Sequence, residues 1–477
     1  MSSDSRNLIF ILSDEHNRKI AGCYGHPVAK TPNLDRLADQ GTLFTSAYCN
    51  SPICVPSRAS LATGRYVHET GNWDNAIAYT GEPPSWHHVL REENVEVVSI
   101  GKLHYRGGDD YGFSEEILPL HVVGGKGDLK GLFRSELPKR DNTGDLAAQA
   151  GRGISTYWEY DESIAAAAQN WLTNRAKSDG KPFALFVSFV MPHFPLVARD
   201  EYYELYEEFD LHALAHRLNA PPADHPTLKR MADYFDYDRY FDSERRAVAL
   251  RAYFGMVSRL DEHIGKILET LENAGMRDTS QIIYASDHGD NLGNRGMWGK
   301  SVMYEDSVGI PMIISGPDIP QGKVNTTPIS LLDIAPTACH CFGIDPADAG
   351  YSGRSLIDIA NNPDPNRTVM SEYHAAGSDT GQFMVRKGDW KYIVYVNSRP
   401  QLFNLRDDPE EIHDLASDPD FASIVSVLDR ELHKICDPNA VNARAFADQH
   451  QLIELNGGAE GIASTADIPF TPIPATN

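Results

Sequence analysis

"NLIFILSDEH", residues 7–16, runs five consecutive apolar side chains, Leu8 to Leu12, straight into the acidic pair Asp14 and Glu15. So short a run does not span a bilayer, and no basic n-region precedes it, so it predicts a buried strand rather than a signal peptide. The same texture recurs in "VEVVSIG" (95–101), "KPFALFVSFV" (181–190), "QIIYAS" (281–286) and "IPMIIS" (310–315). Each is nearly uniformly apolar, as a strand covered on both faces must be. Helical patterns lie between them. "TPNLDRLADQGTLF" has Thr31 and Pro32 as start signals and Gly41 as its stop, and "DESIAAAAQNWLTNRA" and a long pattern ending at Gly275 follow. The alternation predicts an α/β fold: a large, mostly parallel sheet with helices on both faces.

Near residue 365 the texture changes. "NNPDPNR" is a Pro/Asn-rich linker, dividing a large domain, 1–365, from a smaller subdomain, 366–477. The short runs "TVMSEYH", "GQFMVRKG" and "DWKYIVYV" predict a small antiparallel sheet, closed by a helix around 420–435. The Gly/Pro/Thr-rich end, "NGGAEGIASTADIPFTPIPATN", is expected to wrap the surface or a neighbouring subunit of a homo-oligomer.

With 43 basic and 67 acidic residues the formal charge is −24, which argues against nucleic acid or an anionic membrane as partner. An anionic ligand would need a local basic cluster working against that field. No apolar stretch approaches the roughly 18–20 residues of a membrane span, so the chain is expected to be soluble and cytoplasmic. The six cysteines are sparse and irregularly spaced, which fits a reducing compartment better than a disulfide scaffold or a zinc module. "CHC" at 339–341 lies in an apolar helical pattern ending at Gly343 and reads as helix packing rather than a metal site.

In doubly covered α/β folds ligands collect beyond the carboxyl ends of the strands. Asp14 and Glu15 follow the first strand, Lys102 and His104 the second, His193 the third, and Asp287 and His288 the fourth. Taken singly, each has a plainer reading: an Asp after a strand caps a helix, a His before proline sits in a loop, and a Lys-x-His pair joins surface ion pairs. Chance would scatter such groups over both ends of the strands, so together they predict one site. Asp14, Glu15, Asp287 and His288 suit a divalent cation; oxygen donors favour calcium, magnesium or manganese, and the imidazole tilts the choice to manganese. Arg58, Lys102 and Lys300 would supply positive charge for an anionic oxyacid group.

"NSPICVPSRASLATGRY", residues 50–66, puts a proline and an arginine close behind Cys54. Cys54-Val55-Pro56-Ser57-Arg58, followed by "ASLATGR", resembles the signature of the type I sulfatases of the alkaline-phosphatase-like superfamily. "SDEH", "TPNLDRLADQG", "GKLHY", "MPHFPL", "SDHGDNLGNRGMWGK" and "QLFNLRDDPEEIHDLASDP" extend the resemblance over nearly the whole chain. It implies that a formylglycine-generating maturation enzyme oxidises Cys54 to formylglycine. Its hydrate carries two hydroxyls on one carbon: one attacks sulfur in line, and the other expels sulfate by collapse to the aldehyde. The same resemblance makes Asp14, Glu15, Asp287 and His288 metal positions completed by residue 54, with Asp287 also taking the proton of the attacking hydroxyl. Arg58 holds the hydrate and the oxyanions, and Lys102 and Asn75 bind sulfate. His104 is the base for collapse, and His193 and Lys300 bind and protonate the leaving oxygen.

Many sulfatases have Asp-Asp and Asp-Asn where this chain has Asp14-Glu15 and Asp287-His288. Asp-His also occurs in the phosphonate monoester hydrolase and phosphodiesterase branch, so the metal is expected to be calcium or manganese and phosphoryl transfer is the alternative reaction. The C-terminal segments look similar to choline-sulfatase-like enzymes, but "HAAG" lacks an acidic residue near position 376 for a quaternary ammonium. The expected substrate is therefore a small aryl or alkyl sulfate ester. A non-catalytic binder of sulfated ligands would have lost some of these residues, and none is lost. A thiol enzyme using unmodified Cys54 is disfavoured by the surrounding carboxylates.

Overall fold

The computed structural model describes residues 7–134, 143–177, 180–209, 220–345, 349–465 and 470–474. Its centre is an eight-stranded mixed sheet. In chain order the strands are β1 (Asn7–Asp14), β2 (Gly41–Phe44), β3 (Glu96–Lys102), β4 (Glu115–Leu120), β5 (Phe183–Pro192), β6 (Ser280–Ser286), β7 (Met312–Ser315) and β8 (Lys323–Asn325). Their spatial order is β8-β2-β7-β6-β1-β5-β3-β4. β1, β3, β4, β5 and β6 run parallel, which brings their carboxyl ends to one edge.

Alternate residues of β1 serve different cores, as a period of two requires. Leu8, Phe10 and Leu12 join one apolar cluster, with Phe10 stacked on Phe186 at 5.1 Å. Ile9 and Ile11 join the other. The second core is roofed by helices α3 (Thr156–Arg175) and α4 (Ser243–Asn273), with α1 (Pro32–Asp39) beside them. Ser155 and Asp242 cap α3 and α4 by accepting the N–H groups of Trp158 and Arg245. The first core is covered by α2 (Cys54–Thr63) and α5 (Ile334–Cys341). α5 contains Cys339 and Cys341 as packed thiols and stops just before Gly343, as the apolar pattern predicts.

Two details of this sheet go beyond the expectation of a mostly parallel arrangement. β7 runs antiparallel to both β6 and β2. No crossover helix returns the chain after β6: the connection stays at the edge where β6 ends, so the next strand must run back. Gly41 does not cap α1 but opens β2, where a β-carbon would lie 2.2 Å from the carbonyl oxygen of Ile314. Close approach between strands, not a turn, explains that glycine.

A second sheet, β9 (Thr368–Tyr373), β10 (Gln382–Lys387), β11 (Trp390–Tyr395) and β12 (Gln401–Asn404), is an antiparallel meander, and α6 (Ala422–Ile435) packs on it. An unexpected helix follows, α7 (Pro438–Leu455), capped by Asp437. Of the tail, residues 466–469 and 475–477 lie outside the described residues. Among the described residues no helix is long and apolar enough to cross a membrane.

Glu372 on β9 is fully buried and accepts from His68 Nδ1 at 2.8 Å and His374 Nε2 at 3.0 Å. Burial raises its pKa, but the two imidazoles outweigh that and hold it at about 2. A folded pKa below the unfolded value stabilises above the unfolded pKa and loses that contribution as pH falls towards 2. Glu372→Gln should therefore cost about 3 kcal/mol at neutral pH. In urea melts the gap to the parent protein should narrow steadily as pH drops from 5 towards 2.

Candidate active site

The carboxyl ends of β1, β3, β5 and β6 deliver Asp14, Lys102, His193 and the Asp287–His288 pair to a common point. α2 begins at the same point. Cys54 is its first residue, Ile53 before it is extended, and the Val55 N–H donates to Asn75 Oδ1 at 3.1 Å. The helix thus presents its electropositive end to the site. All the predicted residues meet here. Asp14, Glu15, Cys54, Arg58, Lys102, His104, His193, Asp287 and His288 are buried, while Asn75 and Lys300 are partly so. With Phe194, Tyr157, Phe235, Tyr237 and Tyr373, several of them line a cavity of about 140 Å³.

Glu15 occupies the left-handed region at φ 70, a conformation that costs a non-glycine residue about 1–3 kcal/mol unless its surroundings impose it. They do: its N–H donates to Asp287 Oδ1 at 3.2 Å, and its carbonyl accepts from Tyr253 at 2.7 Å. The turn aims the Glu15 side chain at Lys300 Nζ, 3.1 Å away, and at His193 Nε2, 3.4 Å away. Gly299, at φ +65, lets that contact form, since a β-carbon there would sit 3.2 Å from Glu15 Oε1.

Arg58 is the hub. Its Nε donates to Asp287 Oδ2 at 2.7 Å and its Nη2 to Asp14 Oδ2 at 3.3 Å. Its Nη1 is spent on Lys102 O and Ser188 Oγ, at 2.7 and 2.9 Å. Lys102 Nζ pairs with Asp14 Oδ2 as well. Burial pushes the Asp14 carboxyl up, but the positive charge beside it, that of Lys102 above all and of Arg58, outweighs it and holds the group well below the usual range. Burial raises the Glu15 carboxyl well above its usual value, with Lys300 opposing. Burial lowers Lys300, but the acidic side chains beside it, Glu15 and Asp14, outweigh that and keep it an ammonium. His104 and His193 are both held neutral by burial, helped by Lys102 and Lys300 respectively.

The donor set suits a divalent cation. Asp14, Cys54, Asp287 and His288 offer ligand atoms within 4.8 Å of one another, and Asp14, Glu15 and His193 form an adjoining group. His288 Nδ1 donates to Gly289 O at 3.0 Å, which leaves Nε2 facing Cys54 Sγ at 3.2 Å, Asp287 Oδ1 at 3.6 Å and Asp14 Oδ1 at 3.7 Å. Fixing one ring nitrogen on a backbone carbonyl is how proteins orient a metal-binding imidazole, and here the other nitrogen points into a group of two carboxylates and a sulfur. Glu15 Oε1 is buried with no hydrogen-bond partner, another unused donor at the same place.

Cys54 Sγ lies 3.2 Å from His288 Nε2 and 3.8 Å from Asp14 Oδ1. Burial first, then Asp14, raises its pKa. A thiolate is therefore disfavoured at this position, which faces the cavity.

Sequence reasoning missed several neighbours. Asp74 lines the cavity and is bound by Gln449 of α7 at 2.7 Å. Asp161 of α3 accepts the N–H groups of Val190 and Met191 and so fixes the end of β5 before His193. Ser57 ties α2 to Asp287 O at 2.6 Å. The spacing Asn72–Asp74–Asn75 was the available signal for Asp74; nothing local marks Asp161, which sits in an ordinary helical pattern. The tail, expected on the surface or against a neighbour, brings Phe470 and Thr471 into the chain's own cavity.

A family model described as Sulfatase matches residues 6–344, and one described as N-sulphoglucosamine sulphohydrolase, C-terminal, matches residues 293–437. The chain is similar to the choline-sulfatase of Rhizobium meliloti (strain 1021), with 32% identity over 434 residues, 88% of this chain and 84% of that protein. To the arylsulfatase K of Danio rerio the identity is 30% over 464 residues, covering 92% and 86%. Among solved structures, the phosphonate monoester hydrolase of Agrobacterium radiobacter shares the fold, with a TM-score of 0.71 at 21% identity over 92% of this chain and 96% of that one.

Proposed function

This chain belongs to the sulfatase family and is an enzyme that hydrolyses sulfate esters, and from that premise we propose that it acts on small aryl or alkyl sulfates through a formylglycine made from Cys54. The observation that carries the proposal is the placing of Cys54. Its side chain heads α2 within the donor cluster of Asp14, Asp287 and His288, yet the thiol is held protonated there. A residue so placed makes chemical sense once it is no longer a thiol. The aldehyde, as its hydrate, supplies one hydroxyl to attack sulfur and a second to release sulfate.

Asp14, Glu15, Asp287 and His288 would hold one divalent ion, calcium or manganese, which when bound adds positive charge against the sulfate oxygens and acidifies the hydroxyl beside it. Arg58, braced by Asp14 and Asp287, and Lys102 bind the oxyanions, with the Asn75 amide beside them. Asp287 takes the proton of the attacking hydroxyl. His104, neutral and 7% exposed, is the base for collapse. His193 and Lys300 bind the leaving oxygen, and Lys300 keeps the proton it needs. The cavity volume supports a small ester. None of the six cysteines is paired in a disulfide, which is in keeping with a reducing, cytoplasmic setting, and the proposal requires a formylglycine-generating enzyme acting there.

The test is the mass of the tryptic peptide ending at Arg58, from active protein made in a maturation-competent host. Aldehyde in place of thiol is expected; a plain thiol in active protein overturns the proposal. Lys300→Ala should cut kcat/KM for alkyl sulfates by about 10²–10³ and for nitrophenyl sulfate much less, because an acidic phenol leaves without a proton.

The imidazole of His288 in the cluster favours a second reading, hydrolysis of phosphonate monoesters or phosphodiesters at the same site. Turnover of sulfate and phosphonate monoesters with matched leaving groups separates the two.

A further inference from the structure

The cavity wall includes residues far from the rest of the site in sequence. Phe470 and Thr471 face Cys54, Lys102, His104, His193 and Lys300 across it. Three separate contacts hold them there. Thr471 Oγ1 lies 2.7 Å from His104 Nε2, the Tyr157 hydroxyl donates to Thr471 O at 2.7 Å, and the Phe470 ring packs edge-on against Tyr157 at 5.3 Å. Tyr157 in turn stands edge-on to His193 at 6.0 Å. Ile473, two residues further on, rests on the core cluster beneath α4. The segment is therefore anchored on both sides of Thr471 rather than laid over the opening.

We propose that Phe470 and Thr471 are specificity-determining residues: they form the wall of the cavity that meets the leaving group, and they restrict the enzyme to small sulfate esters. The inference rests on the sulfatase reading of the site and adds to it the size of the alcohol accepted. Phe470 packs on Tyr157, which stands against His193, and so borders the space where a bulky leaving group would have to go, while the Thr471–His104 hydrogen bond fixes how deep the segment sits. A hydrophobic wall discriminates by volume, and each extra group it excludes is worth about 10–200-fold. Without the wall the opening widens towards Tyr157 and Phe194, an aromatic surface able to take a fused ring larger than phenyl.

Sulfonates test this without turnover, because their carbon–sulfur bond is not hydrolysed. Binding of methanesulfonate and of 2-naphthalenesulfonate to the full-length protein is measured by calorimetry, alongside hydrolysis of the matching methyl and naphthyl sulfates. For Phe470→Ala the ratio of naphthyl to methyl binding should rise at least tenfold, and the ratio of their kcat/KM values should follow. Thr471→Val, which keeps volume but loses the hydrogen bond to His104, should shift both ratios in the same direction, and Thr471→Ser should restore them. Unchanged ratios in Phe470→Ala, with the parent protein binding both sulfonates, overturn the proposal. Failure of the parent protein to bind either sulfonate or hydrolyse either sulfate would instead overturn the sulfatase reading beneath it.

Discussion

Cys54→Ser should stop turnover, by about 10³-fold or more, while leaving a folded protein that reacts once. Serine fits the position: Cys54 is 1% exposed at the start of α2, and exchanging sulfur for oxygen removes no packing. Its hydroxyl would face the same array of Arg58, Lys102 and Lys300 and can attack sulfur. It has no second hydroxyl on the same carbon, so nothing expels the sulfate. The expected result is one equivalent of alcohol released per protein, followed by silence, with the peptide ending at Arg58 heavier by one sulfo group, SO3. Multiple turnover at the parent rate would remove the need for an aldehyde. No release at all in a folded variant would mean that position 54 does not attack sulfur.

That residue 54 stands among the other candidate residues was legible from the chain alone, because the Cys-x-Pro-x-Arg run is local and α2 sets Cys54 and Arg58 about one turn apart. The strand ends were legible for a different reason. β1, β3, β5 and β6 are apolar on both faces, so each boundary with Asp14, Lys102, His193 or Asp287 is abrupt in the sequence. What stayed hidden depends on direction or distance. "IPMIIS" reads the same whether β7 runs up or down, and only the connection through Asp287 to Gly309 turns it back. α7 carries few large apolar residues, so its period is faint although Asp437 and Pro438 mark its start. Thr471 meets His104 across 367 residues of chain, and a Gly/Pro/Thr-rich segment has no periodicity to announce where it docks. Asp161 looks like a solvated helix residue until β5 is laid beside α3 and gives it two amide donors.

Arg58→Ala should be the most damaging single change to the site's stability as well as its activity. Three carboxylates, Asp14, Glu15 and Asp287, are fully buried at one point, and Arg58, Lys102 and Lys300 are the cations that face them. Alanine removes one cation, empties the space of a side chain that is 1% exposed, and leaves Asp287 Oδ2 without its 2.7 Å donor. Breaking a buried pair in this way costs about 3–5 kcal/mol. Arg58→Lys would return the charge but not the fork that reaches Asp14, Asp287, Lys102 O and Ser188 together, so it should recover part of the stability and little of the activity. The cation-binding reading adds a sharper expectation. A divalent ion held by the same carboxylates replaces some of the missing charge, so added calcium or manganese should raise the Tm of Arg58→Ala more than that of the parent protein, in proportion to the logarithm of its concentration. Thermal melts across a metal titration measure this directly. Equal metal-dependent shifts in the two proteins would mean that the ion does not share Asp14 and Asp287 with Arg58. An unshifted Tm in metal-free Arg58→Ala would mean that the Arg58 guanidinium does not stabilise Asp14 and Asp287 in the folded protein, and the pairing that organises this site would have to be redrawn.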